Sequence, residues 1–163
     1  MLAHAARYLP KGAKVILLAE RGFVHAEAMS AVRRLGWHYR IRLKGNTWLW
    51  RSSGGWIQLN TVHLARGEVR CFHHLKLHKQ QCYSPVHVIF GGNNLNGQLW
   101  AVVSDKPTSI QTFREYALRF DIEELFKDEH SGGWNLQKSE IRSLCDLPYP
   151  NPKLSHLVFE LHS

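Results

Sequence analysis

The sequence predicts an α/β protein, because segments with strand and helix patterns alternate along its first part. Residues 14–19, KVILLA, form a short apolar run with β-branched members, which is typical of a buried strand. Residues 24–35 have a helical pattern that Gly36 ends. Residues 37–43, WHYRIRL, alternate between apolar and polar side chains, which predicts a strand with one polar face.

The region between residues 44 and 98 is predicted to contain mainly short strands. Residues 47–51 alternate, and Gly45-Asn46 before them predicts a tight hairpin turn with the preceding strand. Other strands are predicted at 56–59, 68–75, 86–90 and 99–104. Pro107 then separates the last of these strands from a helix.

That helix is predicted over residues 108–135. Thr108 and Gln111 have the spacing of a capping box, and Gly132-Gly133 ends the pattern. An apolar stripe with i, i+4, i+7, i+8 spacing predicts the buried side of the helix. Its members are Leu118, Ile122, Leu125 and Phe126.

A second row on the same helix contains Tyr116, Arg119 and Glu123 at i, i+3, i+7. At about 100° per residue, this row lies roughly 60–100° round the helix from the centre of the apolar stripe. We therefore expect it at the border between core and solvent, where a catalytic or metal-binding carboxylate belongs. The alternative is a solvated face with weak side-chain pairs of roughly 0.2–0.5 kcal/mol each.

Composition narrows the class of protein. The chain has 163 residues, 44% of them hydrophobic, which suffices for one domain with a core. A formal net charge of +8 favours an anionic partner, nucleic acid first. Three cysteines, an odd number, indicate reduced thiols and a cytoplasmic location. No apolar run reaches the length of a transmembrane helix, so no membrane partner is expected.

One set of residues resembles the signature of DDE transposases from bacterial insertion sequences. It consists of Tyr116, Arg119 and Glu123, together with the segment IEELFKD at 122–128 and Gly132-Gly133. The branch it resembles is marked by Y-x2-R-x3-E-x6-K, and the family's Lys falls on His130. The segments VILLAERGF, LGWHYRIRLKG and LWAVVSD resemble the family in the same order. The resemblance implies a partial RNase H-like core in a single truncated domain over residues 1–163, interrupted by a β-rich insert at about 44–98.

The resemblance also implies DNA cleavage and strand transfer with two Mg²⁺ (or Mn²⁺) ions held by three carboxylates. Glu123 takes the place of the third acid. Glu20, where the family has Asp, takes the place of the second at the end of the 14–19 strand. The first Asp lies on an earlier strand in the family, and residues 1–19 contain no Asp or Glu. We therefore expect a C-terminal fragment of a transposase, with an incomplete metal site and no activity alone.

Double-stranded DNA at the transposon ends is the partner that the resemblance implies, with a second copy or an intact transposase as further partners. One alternative is a non-catalytic DNA-binding or transposase-interacting module, and another is an enzyme completed by a second polypeptide with the missing acid. The candidate DNA-contacting residues are Tyr116, Arg119, His130, Arg21, Arg42 and Lys44.

Two weaker patterns leave alternatives open. Basic and aromatic residues interleave over 33–51, which suits either phosphate contacts with base stacking or strands with one face in the core. His74, His78 and Cys82 are spaced by four, so on a helix they would share a face and bind Zn²⁺. Exposed histidines in a basic insert need no metal, which is the other interpretation.

Overall fold

The computed structural model describes residues 2–10, 12–65, 67–80, 82–92 and 99–119. The strands are β1 (Ile16–Ala19), β2 (His38–Arg42), β3 (Trp48–Arg51), β4 (Gly55–Gln58), β5 (Val69–Leu77), β6 (Tyr83–Gly92) and β7 (Leu99–Ser104). The helices are α1 (Leu2–Ala5), α2 (Ala26–Arg34) and α3, of which residues 110–119 are described.

The strands form one mixed sheet of seven in the order β1-β2-β7-β6-β5-β3-β4. β1 and β2 are parallel and are joined by α2, whereas the other neighbouring pairs are antiparallel. All four residues of β1 are buried. That burial explains the continuous apolar run, because a strand covered on both faces has no polar side. The prediction of an α/β fold is confirmed.

Helices pack on both faces of the sheet. On one face, Met29 and Val32 of α2 pack into the main core together with Leu17, Tyr39 and Ile41. On the other face, α3 packs against β6 and β7. That second, smaller core is formed by Ile89, Val102 and Tyr116, with Trp100 and Phe113 packed against it. In β6 and β7 the period of two sends side chains alternately to these two cores, with Val88 and Val103 in the main one and Ile89 and Val102 in the smaller one.

The predicted hairpin at Gly45-Asn46 is wrong. β2 pairs with β1 and β7, whereas β3 pairs with β4 and β5 at the far side of the sheet. The backbone N–H of Leu43 donates to Ala101 O at 2.9 Å, so the end of β2 continues along β7. A turn does occur there, with Thr47 N donating to Lys44 O at 3.0 Å, but it redirects the chain instead of folding it back. Local turn signals cannot specify which strand becomes the neighbour.

The start of α3 lies one residue later than the predicted capping box. Ser109 Oγ accepts from Gln111 N at 3.2 Å, and Thr112 Oγ1 accepts from Ser109 N at 3.1 Å. The Thr112 side chain thus reaches back to Ser109 N as in a capping box, whereas Ser109 Oγ caps the N–H of Gln111 and not that of Thr112. Residues 120–135 of the predicted helix lie outside the described residues. Within the described part of the chain, no helix is long and apolar enough to cross a membrane.

Candidate nucleic-acid interface

Glu20 lies directly after β1, at the carboxyl end of the strand, as the sequence predicts. Its side chain caps the short 3₁₀ helix Arg21–Phe23, where Oε2 accepts from Arg21 N at 3.4 Å. Parallel strands in open α/β sheets present ligand sites at this end. A ligand site is therefore expected among the elements that meet around Glu20.

Arg119 of α3 pairs with Glu20 across the strand end. The distance from Arg119 Nη1 to Glu20 Oε1 is 2.9 Å, and the arginine side chain is only 6% exposed. One turn earlier on the helix, Tyr116 is 1% exposed and packs against Ile89 and Val102. The Tyr-Arg row therefore faces the sheet, and its predicted position at the border between core and solvent is wrong. The reason is that the strand-end carboxylate gives the guanidinium a partner beneath the helix.

A second ion pair fixes α3 on the sheet. Arg40 of β2 is buried, and its Nε lies 2.8 Å from Glu115 Oε2 of α3. Arg40 Nη1 also donates to Ser104 Oγ at 2.9 Å. Asp105 accepts from Tyr39 N at 3.2 Å and lies 2.7 Å from His38 Nδ1. The sequence contained one sign of this pairing. Residues 38, 40 and 42 share one face of β2, and a helix that covers this face must supply an acid for Arg40.

Arg21 and Arg42 lie at a cleft of about 390 Å³ beside Glu20. The Arg42 guanidinium lies over the Trp100 ring, with Cζ 4.1 Å from the ring centroid. The pKa of Arg42 is lowered, first by burial and then by the charge of Arg21, and Arg119 acts in the same direction. Tyr116 and the Glu20 carboxylate oppose this shift. The cleft is lined by Arg21, Arg42, Leu43, Gly45, Leu59, Asn60, Val62, His63, Leu64 and Leu99.

The cleft is suited to an anion. Two guanidinium groups border it, and none of its lining residues, all within the described ranges, is acidic. The pKa of Arg42 is lowered by burial and by the positive charge of Arg21, and a bound anion would stabilise both guanidinium charges. Lys44 is exposed next to the lining residues Leu43 and Gly45. Three of the residues predicted to contact DNA thus lie in or beside one cleft.

The remaining residues predicted to bind metal or DNA are not among the described residues that line this cleft. Glu123 and His130 lie outside the described residues, so the convergence of Glu20 with Glu123 stays a prediction. In the interleaved segment, Trp37 and Tyr39 lie in the main core, which decides for the structural alternative at those two positions. Trp48 and Trp50 are half-buried, and each ring has a lysine over it: Lys79 Nζ at 3.4 Å and Lys76 Nζ at 4.6 Å from the ring centroids.

The proposed helical face of His74, His78 and Cys82 is wrong, because β5 extends over 69–77 as a strand. Residues four apart on a helix share a face, whereas a strand with a register shift gives no such alignment. Among the residues that the structure describes, no group of three or more His, Cys, Asp or Glu could hold a metal ion.

Fold and cleft together define an α/β domain with an anion-attracting cleft at the end of its parallel strand pair. The sequence profile described as the transposase DDE domain matches residues 2–145. The chain therefore belongs to the DDE transposase family, whose domain is RNase H-like, and the family resemblance is confirmed. Membership of the Y-x2-R-x3-E-x6-K branch stays a prediction. Comparison with curated proteins and with solved structures gave no significant match.

DDE transposases use divalent metal ions and act on DNA, so the surroundings of Glu20 can be compared with what Mg²⁺ requires. One Glu20 oxygen pairs with Arg119 and the other accepts from Arg21 N. The charges of Arg21, Arg42 and Arg119 act on the same small region. A hard cation needs several free oxygen ligands. The described residues around Glu20 therefore do not fit a divalent metal.

Proposed function

We propose that this chain binds DNA as the C-terminal part of a DDE transposase catalytic domain, and that by itself it does not cleave DNA. The observation that carries the proposal is the basic cleft beside Glu20, in a chain that belongs to this family. Transposases act on DNA, and a strand-end cleft with two arginines offers positive charge to the phosphates of the DNA backbone.

A phosphate of the DNA backbone is the anion that would pair with Arg21 and Arg42 at this cleft. Phosphate contacts from Arg and Lys dominate affinity for DNA and make it salt-dependent. Arg21 and Lys44 are exposed, and the Trp100 ring holds the Arg42 guanidinium in place. Tyr116 and Arg119, which the resemblance assigns to DNA, act in this proposal beneath the surface by holding α3 against the strand end. His130 remains a proposed DNA contact.

The contacts of the Glu20 carboxylate do not support catalysis by this chain alone. Both of its oxygens have protein donors, and the side chain is one methylene longer than the family's Asp. A catalytic group displaced by about 1 Å can lose roughly a hundredfold in rate. We propose that Glu20 and Glu123 occupy the second and third acid positions without forming a working metal site in this polypeptide. The exposed free thiols of Cys71 and Cys82 fit the proposed cytoplasmic location.

A transposase-interacting module is the second candidate, favoured by the position of β1. This strand ends the sheet order among the described strands, so its outer backbone edge offers hydrogen bonds to a further strand. A second copy or an intact transposase would supply that strand. Sedimentation of the chain alone and with an intact relative distinguishes this candidate from simple DNA binding.

The test combines binding and cleavage on one labelled DNA duplex, with Mg²⁺ or Mn²⁺ present. We expect a salt-sensitive gel shift and no cleaved product. A second reaction contains an added polypeptide with the N-terminal half of a family member. It tests the alternative that a second polypeptide supplies the missing acid and completes the site. Cleavage by the pure chain, abolished in Glu123→Ala, would contradict the proposed inactivity, and the absence of any shift would contradict DNA binding.

A further inference from the structure

A second cleft, of about 450 Å³, lies between the β3–β4 turn and β5, away from the Glu20 cleft. The two clefts share no lining residue. The second is lined by Arg51, Ser52, Ser53, Phe72, His73, His74 and Leu75. Its polar members are all hydrogen-bond donors or neutral donor-acceptors, and none of these described lining residues is acidic.

Arg51 supplies the cation of this cleft. Its guanidinium Cζ lies 5.5 Å from the Phe72 ring centroid. A Cβ added at Gly54 would lie 3.4 Å from Arg51 Nη2, so the turn packs closely against the guanidinium. Arg51 Nε is buried, and no residue in the described part of the chain accepts a hydrogen bond from it. The Arg51 side chain is half-buried and lines the cleft, so the guanidinium can offer its charge to a ligand with an anionic oxygen.

A bulge in β5 brings two imidazoles to the same place. The register with β6 shifts between Phe72 and Leu75, and His74 has a φ of 56°, in the left-handed region that favours glycine. In a regular strand, adjacent residues point to opposite faces. Here the rings of both His73 and His74 lie close to His87, with centroids 5.2 and 5.0 Å away. Strained backbone of this kind is often found where side chains are positioned for binding.

We propose that this second cleft binds a phosphate of the DNA backbone, through the Arg51 guanidinium, the hydroxyls of Ser52 and Ser53, and the imidazoles of His73 and His74. The inference rests on the proposed DNA binding and adds a contact site on the β3–β5 part of the sheet.

The test measures duplex affinity by fluorescence anisotropy at several salt concentrations. Arg51→Gln removes the cation, and the double variant Ser52→Asp, Ser53→Asp adds two negative charges on an exposed turn that tolerates them. Loss of one phosphate contact lowers the slope of log K against log salt by about 1 and affinity by about threefold to fivefold. Gln80→Glu with Gln111→Glu adds the same charge at exposed positions outside both clefts and is the control. A thermal unfolding curve for each variant detects misfolding.

The two proposals fail in different ways. If the unaltered chain binds DNA and both cleft variants match the control, the second cleft is not a phosphate site and the DNA-binding proposal stands. If the unaltered chain does not bind duplex at all, both proposals fail. Weaker binding with a smaller slope in Arg51→Gln and in the serine pair, but not in the control, supports the second site.

Discussion

At the scale of single residues, Glu20 and Arg119 form the contact that joins strand end and helix. The pair is partly buried: the arginine side chain is 6% exposed and the carboxylate 38%. Surface ion pairs contribute little to stability, because water competes for both partners. A guanidinium this deeply buried cannot regain water without moving α3, so its pairing with Glu20 should be measurable.

A double-mutant cycle tests this pairing. Glu20→Gln and Arg119→Met, alone and together, should give a favourable coupling free energy of about 0.5–3 kcal/mol in urea unfolding. Glu27→Gln serves as the control partner for Arg119→Met, because Glu27 is exposed on α2, across the sheet from α3. Coupling between Glu20 and Arg119 no larger than that of the control pair would mean that the contact does not hold the helix.

Arg40 shows why single residues are hard to assign from the sequence. In an alternating strand it was expected on the polar face, and that face is the one α3 covers. Its partners Ser104 and Glu115 come from positions 64 and 75 residues later in the chain. Local periodicity cannot reveal such partners, because it reports only which side chains share a face. By contrast, Glu20 was placed correctly, because a strand end is a local feature.

At the scale of elements, α3 packs closely on β6. A Cβ added at Gly91 would lie 2.8 Å from Phe113 Cε2 and 3.1 Å from Cζ. We predict that Gly91→Ala lowers the free energy of unfolding by about 1–3 kcal/mol, the usual effect of overpacking. Phe113→Leu should restore part of this loss in the double variant. Gly22→Ala, which meets nothing within 4 Å, is the control. Equal unfolding free energies for the two alanine variants would show that the helix does not pack in this way.

We predict that the histidines at the β5 bulge make stability depend on pH. His87 of β6 is buried, and its Nδ1 lies 3.1 Å from His73 Nδ1, so one of the two nitrogens must lack a proton. The pKa of His87 is lowered from 6.5, first by burial and then by His73 and His74, and Asp105 opposes this only in part. The unfolded chain therefore takes up the proton first. The contribution of His87 to stability should be fully present above the unfolded pKa of 6.5 and be lost as the pH falls below it.

Urea unfolding between pH 7.5 and 5.5 measures this dependence. The chain has eleven histidines, so the informative quantity is the difference between the unaltered chain and His87→Gln. The variant should lose less stability on acidification. If both proteins lose the same amount, His87 does not contribute to the pH dependence.

The elements themselves were largely predictable from the sequence, whereas their pairing was not. Seven strand segments and α2 follow from local periodicity and from Gly36, which has a φ of 73° just after the helix. The neighbour of β2 is β7, about sixty residues later, and a turn signal at Gly45-Asn46 suggested β3 instead. Strand order depends on which apolar faces can be buried together, which is a property of the whole chain.

At the scale of the whole molecule, charge is the property that connects fold with function. The chain has a formal net charge of +8, and each of the two clefts described above is lined by arginine without an acidic residue among the described lining residues. Composition predicted an anionic partner, which agrees with a family that acts on DNA. It did not predict the proposed position of that partner, because the arginines that form the first cleft come from different elements and others, such as Arg40 and Arg119, form ion pairs inside the fold.

The measurement that tests the central claim most directly is the salt dependence of duplex binding for Arg21→Ala with Arg42→Ala. Loss of two phosphate contacts should reduce the slope of log K against log salt by about 2, and weaken binding at every sequence tested. Arg7→Ala with Arg34→Ala removes the same charge at exposed positions outside the clefts and should change the slope by much less. An equal slope for the two double variants would contradict the placement of DNA at the Glu20 cleft.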